Sequence, residues 1–375
     1  MPETTNGETI IHYDTKGSPN DPTILLIMGY TEPMTSFKDE FCDLLVQNGF
    51  HVVRFDNRDV GLTSKTKTEP PSIEELIMAG MTGQPITNAP YTLADMASDA
   101  FAVLDAVSVQ KAHVVGVSMG GMIAQIMAIQ KPERLTTMTS IMSTTGAPGV
   151  GIAAPEVGMN LQSPLGLKTK EEAIAWSLHN YRLFAGPLFD EEAHADLVSK
   201  NYDRNWNPLV SVFQLAATLA SPDRTIDLQS IATPTLVIHG AKDTLVLPDG
   251  GEATAQAING AELVIYDEMG HEMPETLWLD ITTEIINHAN TNESVLKEKK
   301  MAEQPDSYED LTQCGLGDEL EEELLHTQRE CTFMWTNKKG EAFGVIMSFL
   351  PKDGKLWLTC AERRARVPAL RRFPR

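Results

Sequence analysis

Short apolar runs alternate with longer segments of helical periodicity from Thr9 to about Asn290. The runs are Thr23 to Met28, His51 to Phe55, His113 to Val117, Thr235 to His239 and Glu262 to Tyr266. Each is rich in Val, Ile or Leu and ends near Gly, Asp or Asn, as strands buried in a parallel sheet do. Between them, Lys38 to Asn48, Leu93 to Val107, Met122 to Gln130, Gly250 to Ile258 and Thr276 to Ala289 predict helices. In Leu93 to Val107, for example, Met96, Ala100, Val103 and Leu104 recur at helical spacing. This order of strands and helices predicts an α/β fold with a doubly wound, mostly parallel sheet over residues 1–290.

The alternation breaks from about Gly146 to Asp227, where no strand-like run occurs. That stretch carries Gly/Pro-rich loop and helical pattern, as in Glu171 to Phe184 and Leu209 to Leu219. A helical insertion between two strands sits over the ends of a sheet, so a lid over a pocket is expected there. Residues 291–310 are polar and charged without apolar periodicity, which predicts a linker. Residues 311–375 form a second, α+β segment. It reads as an acidic helix (Asp318 to Thr327) and strands at Cys331 to Thr336, Ala342 to Phe349 and Leu356 to Thr359, closing on basic residues from Arg363.

Composition narrows the range of functions. Hydrophobic residues make up 42% of the 375 and charged residues 22%, enough apolar material for a sizeable core. The formal net charge of −22 argues against a nucleic acid or an anionic membrane as partner. No run approaches the length of a membrane helix and no secretory signal is visible. Four scattered cysteines (Cys42, Cys314, Cys331, Cys360) show no metal-ligand spacing and fit a reducing compartment, so a cytoplasmic location is expected.

The chemistry centres on Gly116-Val117-Ser118-Met119-Gly120, a G-x-S-x-G sequence between an apolar strand and a helix. A nucleophile in a strained strand-to-helix turn crowds the positions two residues away on each side, which glycine relieves. A serine hydroxyl is a weak nucleophile at neutral pH and needs a base in hydrogen-bond reach. His271 follows the last strand in the short loop Glu268-Met269-Gly270-His271 and is the expected base. His239, at a strand end, is its rival. Asp243 lies between Ser118 and His271 in chain order, just after a strand, where an acid could hold the imidazole tautomer. Asp267 and Glu268 are too near His271 in sequence to reach behind its ring. The oxyanion requires two backbone donors, for which the amides of Met119 and Tyr30 are the positional candidates.

Together these motifs resemble the α/β-hydrolase superfamily over roughly Glu8 to Ala289. The turn Arg58-Asp59-Val60-Gly61, where many members have Gly in place of Asp59, and Met28-Gly29 are similar to the aclacinomycin methylesterase-like group. The resemblance implies a Ser118, Asp243, His271 triad and a Tyr30/Met119 oxyanion hole. It also implies hydrolysis of a carboxylic ester, in its narrower form a methyl ester on a bulky hydrophobic compound, with no cofactor or metal. Residues 311–375 are similar to the beginning of the pyridoxamine-phosphate-oxidase-like flavin-binding split barrels, through Trp357-Leu358-Thr359 and the basic stretch around Arg366. That segment stops before the remaining barrel strands, so FMN is expected only with a complete domain. The alternatives are a C–C bond hydrolase or perhydrolase with the same triad, a non-catalytic binding protein of the same fold, and the hydrolase part of a fusion with a flavin-dependent domain.

Overall fold

The computed structural model describes residues 1–303, 330–336, 342–352 and 355–358. The chain divides into two units, Met1–Lys299 and Lys300–Arg375. The first is built on β1 (Glu3–Asn6), β2 (Thr9–Lys16), β3 (Thr23–Ile27), β4 (His51–Phe55), β5 (Ala112–Val117), β6 (Leu135–Ile141), β7 (Thr235–Gly240) and β8 (Glu262–Tyr266). They form one sheet in the order β1-β2-β4-β3-β5-β6-β7-β8. The β1–β2 and β2–β4 pairings are antiparallel, and every pairing from β4 through β3 to β8 is parallel.

Alternation along the strands divides the core in two. Leu25, Ile27 and Val114 face α3 (Leu93–Ala106) and α4 (Met119–Gln130), whose Met96, Ala100, Ile123 and Met127 are buried against them. On the other face Ile24, Leu26, Val115 and Val117 pack on α1 (Asp39–Gln47) and α11 (Trp278–Glu303) through Phe41, Leu45, Ile281 and Ile285. Thr92 opens α3 with a reciprocal capping box to Asp95, which places its start where the sequence pattern did. Between β6 and β7 come α5 (Pro155–Asn160), α6 (Lys170–Phe184), α7 (Glu191–Asn205), α8 (Val210–Leu219) and α9 (Thr225–Leu228), with no strand.

Several expectations change. The strand β6, LTTMTSI, did not read as an apolar run, yet all seven of its residues are buried. One of its polar side chains is paired inside the sheet: Thr137 Oγ1 lies 2.9 Å from His113 Nδ1. The run at Glu262–Tyr266 is not a doubly buried strand but the sheet edge, with Leu263 and Ile265 about two-fifths exposed. The sequence pattern also passed over α2 (Ile73–Thr82) and α7, although Ser72 with Glu75 and Asp190 cap them at their N-termini. The helix α11 does not stop near Asn290 but continues to Glu303, so the first part of the expected linker is helical.

The second unit contains an antiparallel meander, β9 (Glu330–Thr336), β10 (Ala342–Lys352) and β11 (Lys355–Leu358), in the order β11-β10-β9. The helix expected at 318–327 and the basic stretch around residue 366 lie outside the described residues. Among the described residues no helix is long and apolar enough to cross a membrane.

Candidate active site

Ser118 lies between the end of β5 and the start of α4 at φ 54° and ψ −118°. A non-glycine residue at positive φ is strained, and the surroundings hold it there. Its amide donates to the carbonyl of Ile141 at 2.8 Å. Side chains could not be accommodated on either flank. A Cβ on Gly116 would lie 2.1 Å from the Gly120 carbonyl oxygen, and one on Gly120 would lie 2.1 Å from that of Ile27. The glycines of the motif are thus a packing requirement between β3, β5 and the first turn of α4.

The three polar groups read from the sequence converge. Ser118 Oγ lies 2.9 Å from His271 Nε2, and His271 Nδ1 lies 2.6 Å from Asp243 Oδ2. Asp243 and His271 are buried, in the loops that follow β7 and β8. The other carboxylate oxygen of Asp243 accepts the amides of Leu245 at 2.9 Å and Val246 at 2.8 Å. Burial alone would raise this carboxyl. The His271 charge, with hydrogen bonds from His239, His271 and the Val246 amide, outweighs it and holds the group down at about 2. Asp243 is therefore an anion at any working pH.

His239 does not face Ser118. Its Nε2 lies 2.9 Å from the carbonyl of Val246 and 3.4 Å from Asp243 Oδ2, so it braces the Asp243 loop. Met119 opens α4, and its amide is one of the first-turn donors without an intrahelical acceptor. The loop after β3 passes directly over the serine: a Cβ on Gly29 would lie 3.2 Å from Ser118 Cβ. Tyr30 follows, and its hydroxyl donates to the Ser211 carbonyl at 2.6 Å. Fully buried Gln214 of α8 joins this loop to the Arg58 turn, accepting from the Thr31 amide at 2.7 Å and donating to the Arg58 carbonyl at 3.0 Å. At Asp59, where many superfamily members have glycine, φ is 67°. Its carboxylate offsets the strain by accepting from the Thr66 amide, the Thr66 hydroxyl and the Tyr91 hydroxyl at 2.6, 2.9 and 2.8 Å.

Ser118 and His271 open into a cavity of about 280 Å³. Its walls carry aromatic rings from both sides, with Phe37, Phe41 and Trp278 from the sheet unit and Trp176, Tyr181 and Phe189 from the insertion. The insertion also reaches His271. Phe184 sets its ring edge-on to His271, with centroids 5.8 Å apart at 88°. Glu272 accepts the Gly186 amide on both oxygens, at 3.0 and 2.9 Å. The sequence pattern singled out none of Phe184, Gly186, Gln214 or Glu272, because each acts across a long chain separation. Among the described residues no cluster of three or more His, Cys, Asp or Glu could hold a metal ion.

Comparisons with known proteins agree with this architecture. Rhodomycin D methylesterase DnrP of Streptomyces peucetius is 28% identical over 308 residues, spanning 76% of this chain and 96% of that protein. A 2-hydroxy-6-oxononadienedioate/2-hydroxy-6-oxononatrienedioate hydrolase of Paraburkholderia xenovorans is also 28% identical, but over 45% of this chain and 58% of its own length. Among solved structures, the enol-lactonase from Burkholderia xenovorans LB400 superposes with a TM-score of 0.58 at 19% identity, covering 76% of this chain and all of that one. The family model described as the alpha/beta hydrolase fold matches residues 22–276, and the chain belongs to that family.

Proposed function

We propose that this hydrolase cleaves a carboxylic ester through an acyl-enzyme intermediate, with Ser118 as nucleophile, His271 as base and Asp243 as the acid that orients the base. The observation that carries the reading is the unbroken relay from Ser118 Oγ through His271 to Asp243, at 2.9 and 2.6 Å. In the forward step Ser118 Oγ bonds to the ester carbonyl carbon while its proton passes to His271 Nε2. The imidazolium that forms lies against the Asp243 anion. The developing oxyanion takes the amides of Met119 and Tyr30, each such donor contributing about 3 kcal/mol to the transition state. His271 then returns the proton to the departing alkoxide, releasing the alcohol. Water deprotonated by the same imidazole attacks the acyl carbon and frees Ser118. No cofactor or metal enters this sequence.

The aromatic cavity suits the acyl or alcohol part of a bulky, apolar compound, and the insertion acts as its lid. The likeness to a methylesterase over nearly that protein's whole length supports a methyl ester as substrate. C–C bond cleavage of a dicarboxylate is less well supported. Of the residues lining the cavity, the one lysine, Lys38, is already paired with Glu275, leaving no free cation for a carboxylate. Labelling with a fluorophosphonate, followed by a panel of aryl methyl esters and a vinylogous C–C substrate, tests the proposal. Labelling confined to Ser118 with turnover of the esters is expected. Labelling elsewhere, or turnover of the C–C substrate alone, overturns it.

A further inference from the structure

The charges inside the cavity are unequally satisfied. Four acids line it, and three have a fixed partner. Asp190 caps α7 by accepting the Ala193 amide at 3.0 Å. Glu272 takes the Gly186 amide, and Glu275 pairs with Lys38. The fourth, Glu32, stands on the loop that crosses Ser118. It accepts only the Ser36 hydroxyl, at 2.5 Å, and among the described residues no Lys, Arg or His pairs with it. An ionised carboxylate offers about four acceptor sites, so most of the capacity of Glu32 is unused. Its orientation is fixed from behind. Ser36 Oγ accepts from Asn201 Nδ2 at 3.2 Å, and Thr35 Oγ1 donates to Asn201 Oδ1 at 2.8 Å.

Two further observations bear on what completes this site. Trp176 and Tyr181 line the same cavity as Glu32. Aromatic faces beside a carboxylate are the setting in which organic cations are held. In addition, burial pushes the Glu32 carboxyl up, and Tyr181 is raised first by its own burial and then by the charges of Glu32 and Glu272. A hydrogen-bond donor or cation on a bound substrate would fill the acceptor sites that Ser36 leaves open.

We propose, building on the ester-hydrolase reading, that Glu32 is a specificity determinant that selects substrates carrying an ammonium or other strong hydrogen-bond donor beside their aromatic body. The same carboxylate disfavours substrates with a second anionic group, and it repels the carboxylate product formed on hydrolysis.

The test uses unreactive ethyl ketones, isosteric with aryl methyl esters, that share one naphthyl body. At the end of a two- to four-carbon chain they bear an ammonium, a methyl or a carboxylate group. Binding to the full chain is measured by calorimetry, which does not depend on turnover. The best ammonium ketone is expected to bind roughly tenfold or more tightly than its methyl counterpart, as a charge-assisted hydrogen bond does, and the carboxylate ketones more weakly than either. In Glu32→Gln, which keeps the shape and the Ser36 contact, the ammonium-to-methyl ratio should fall to within about twofold of one. Because the ratio is taken within one preparation, partial unfolding of the variant does not change it. Equal affinities in the wild type, or a ratio that survives Glu32→Gln, overturn the inference. Turnover of the matching esters is a separate readout: selective binding without hydrolysis sustains the role of Glu32 and removes the hydrolase reading.

Discussion

The amide of His271 donates to the carbonyl of Phe184 at 2.9 Å. Phe184 is the last residue of α6, where helix carbonyls have no intrahelical donor, so a free carbonyl at the end of α6 captures the loop of the proposed base. The contact is close on both sides. A Cβ on Gly186 would lie 2.4 Å from the Glu268 carbonyl oxygen and 2.7 Å from the Gly270 amide nitrogen. These are backbone atoms and cannot turn aside. Gly186→Ala should therefore displace His271 and lower kcat by about 10- to 100-fold, as small misplacements of reacting groups do. Stability should fall by only about 1–3 kcal/mol. An unchanged kcat in a folded Gly186→Ala protein would show that the insertion does not position the base.

Ser118→Ala should reduce ester hydrolysis by something on the order of a millionfold, as loss of a triad nucleophile does elsewhere. Fluorophosphonate labelling should vanish with it. Label recovered on a different serine would reassign the nucleophile.

Asp243→Asn should leave the fold intact and lower turnover by roughly ten-thousandfold. The amide replaces an acceptor at 2.6 Å from His271 Nδ1 with a group that can present a donor. The imidazole then carries its proton on Nε2, facing Ser118, and cannot accept the serine proton. Near-normal rates in this variant would remove Asp243 from the relay.

Two buried imidazoles make stability depend on pH. Burial, followed by the charges of His288 and Lys111, lowers His113 from 6.5 to about 4. Burial, followed by the charge of Lys38, lowers His194 to about 4. Between about pH 6.5 and 4 the unfolded chain binds protons at these sites that the folded chain does not. Stability is therefore full above pH 7 and falls as the pH drops through that window, by on the order of 3 kcal/mol per group. Urea melts at pH 7.5 and 5 read this directly, and the double variant His113→Gln with His194→Gln should flatten the difference. A wild-type midpoint that does not move between the two pH values contradicts the assignment.

A chain truncated after Lys299 should retain ester hydrolysis. The relay, both proposed oxyanion donors and the insertion precede that point, and it ends the first compact unit. Truncation near Thr291 should do worse. It removes the continuation of α11 and with it Glu293, whose carboxylate lies 3.6 Å from buried His113 Nε2. Loss of activity on truncation after Lys299 would give the second unit a part in catalysis.

What the sequence determined by itself is the tight turn at Ser118 and the chain order of the residues that meet it. Ser118 needs small neighbours within two residues, so its motif is written contiguously between β5 and α4. Asp243 and His271 each follow an apolar run directly, so their loops could be found without knowing the sheet order. The strands β3, β4, β5 and β7 were legible because burial on both faces favours near-continuous apolar side chains. β6 was not, because its buried threonines and serine look polar in one dimension, although all seven residues are buried. Tertiary structure alone decided that His239 braces Asp243 instead of serving Ser118, that Phe184 and Gly186 hold the His271 loop, and that Glu32 has no cation beside it among the described residues. These are contacts between segments far apart in the chain, and the register that creates them is set by how helices and sheet pack, which no short window of sequence records.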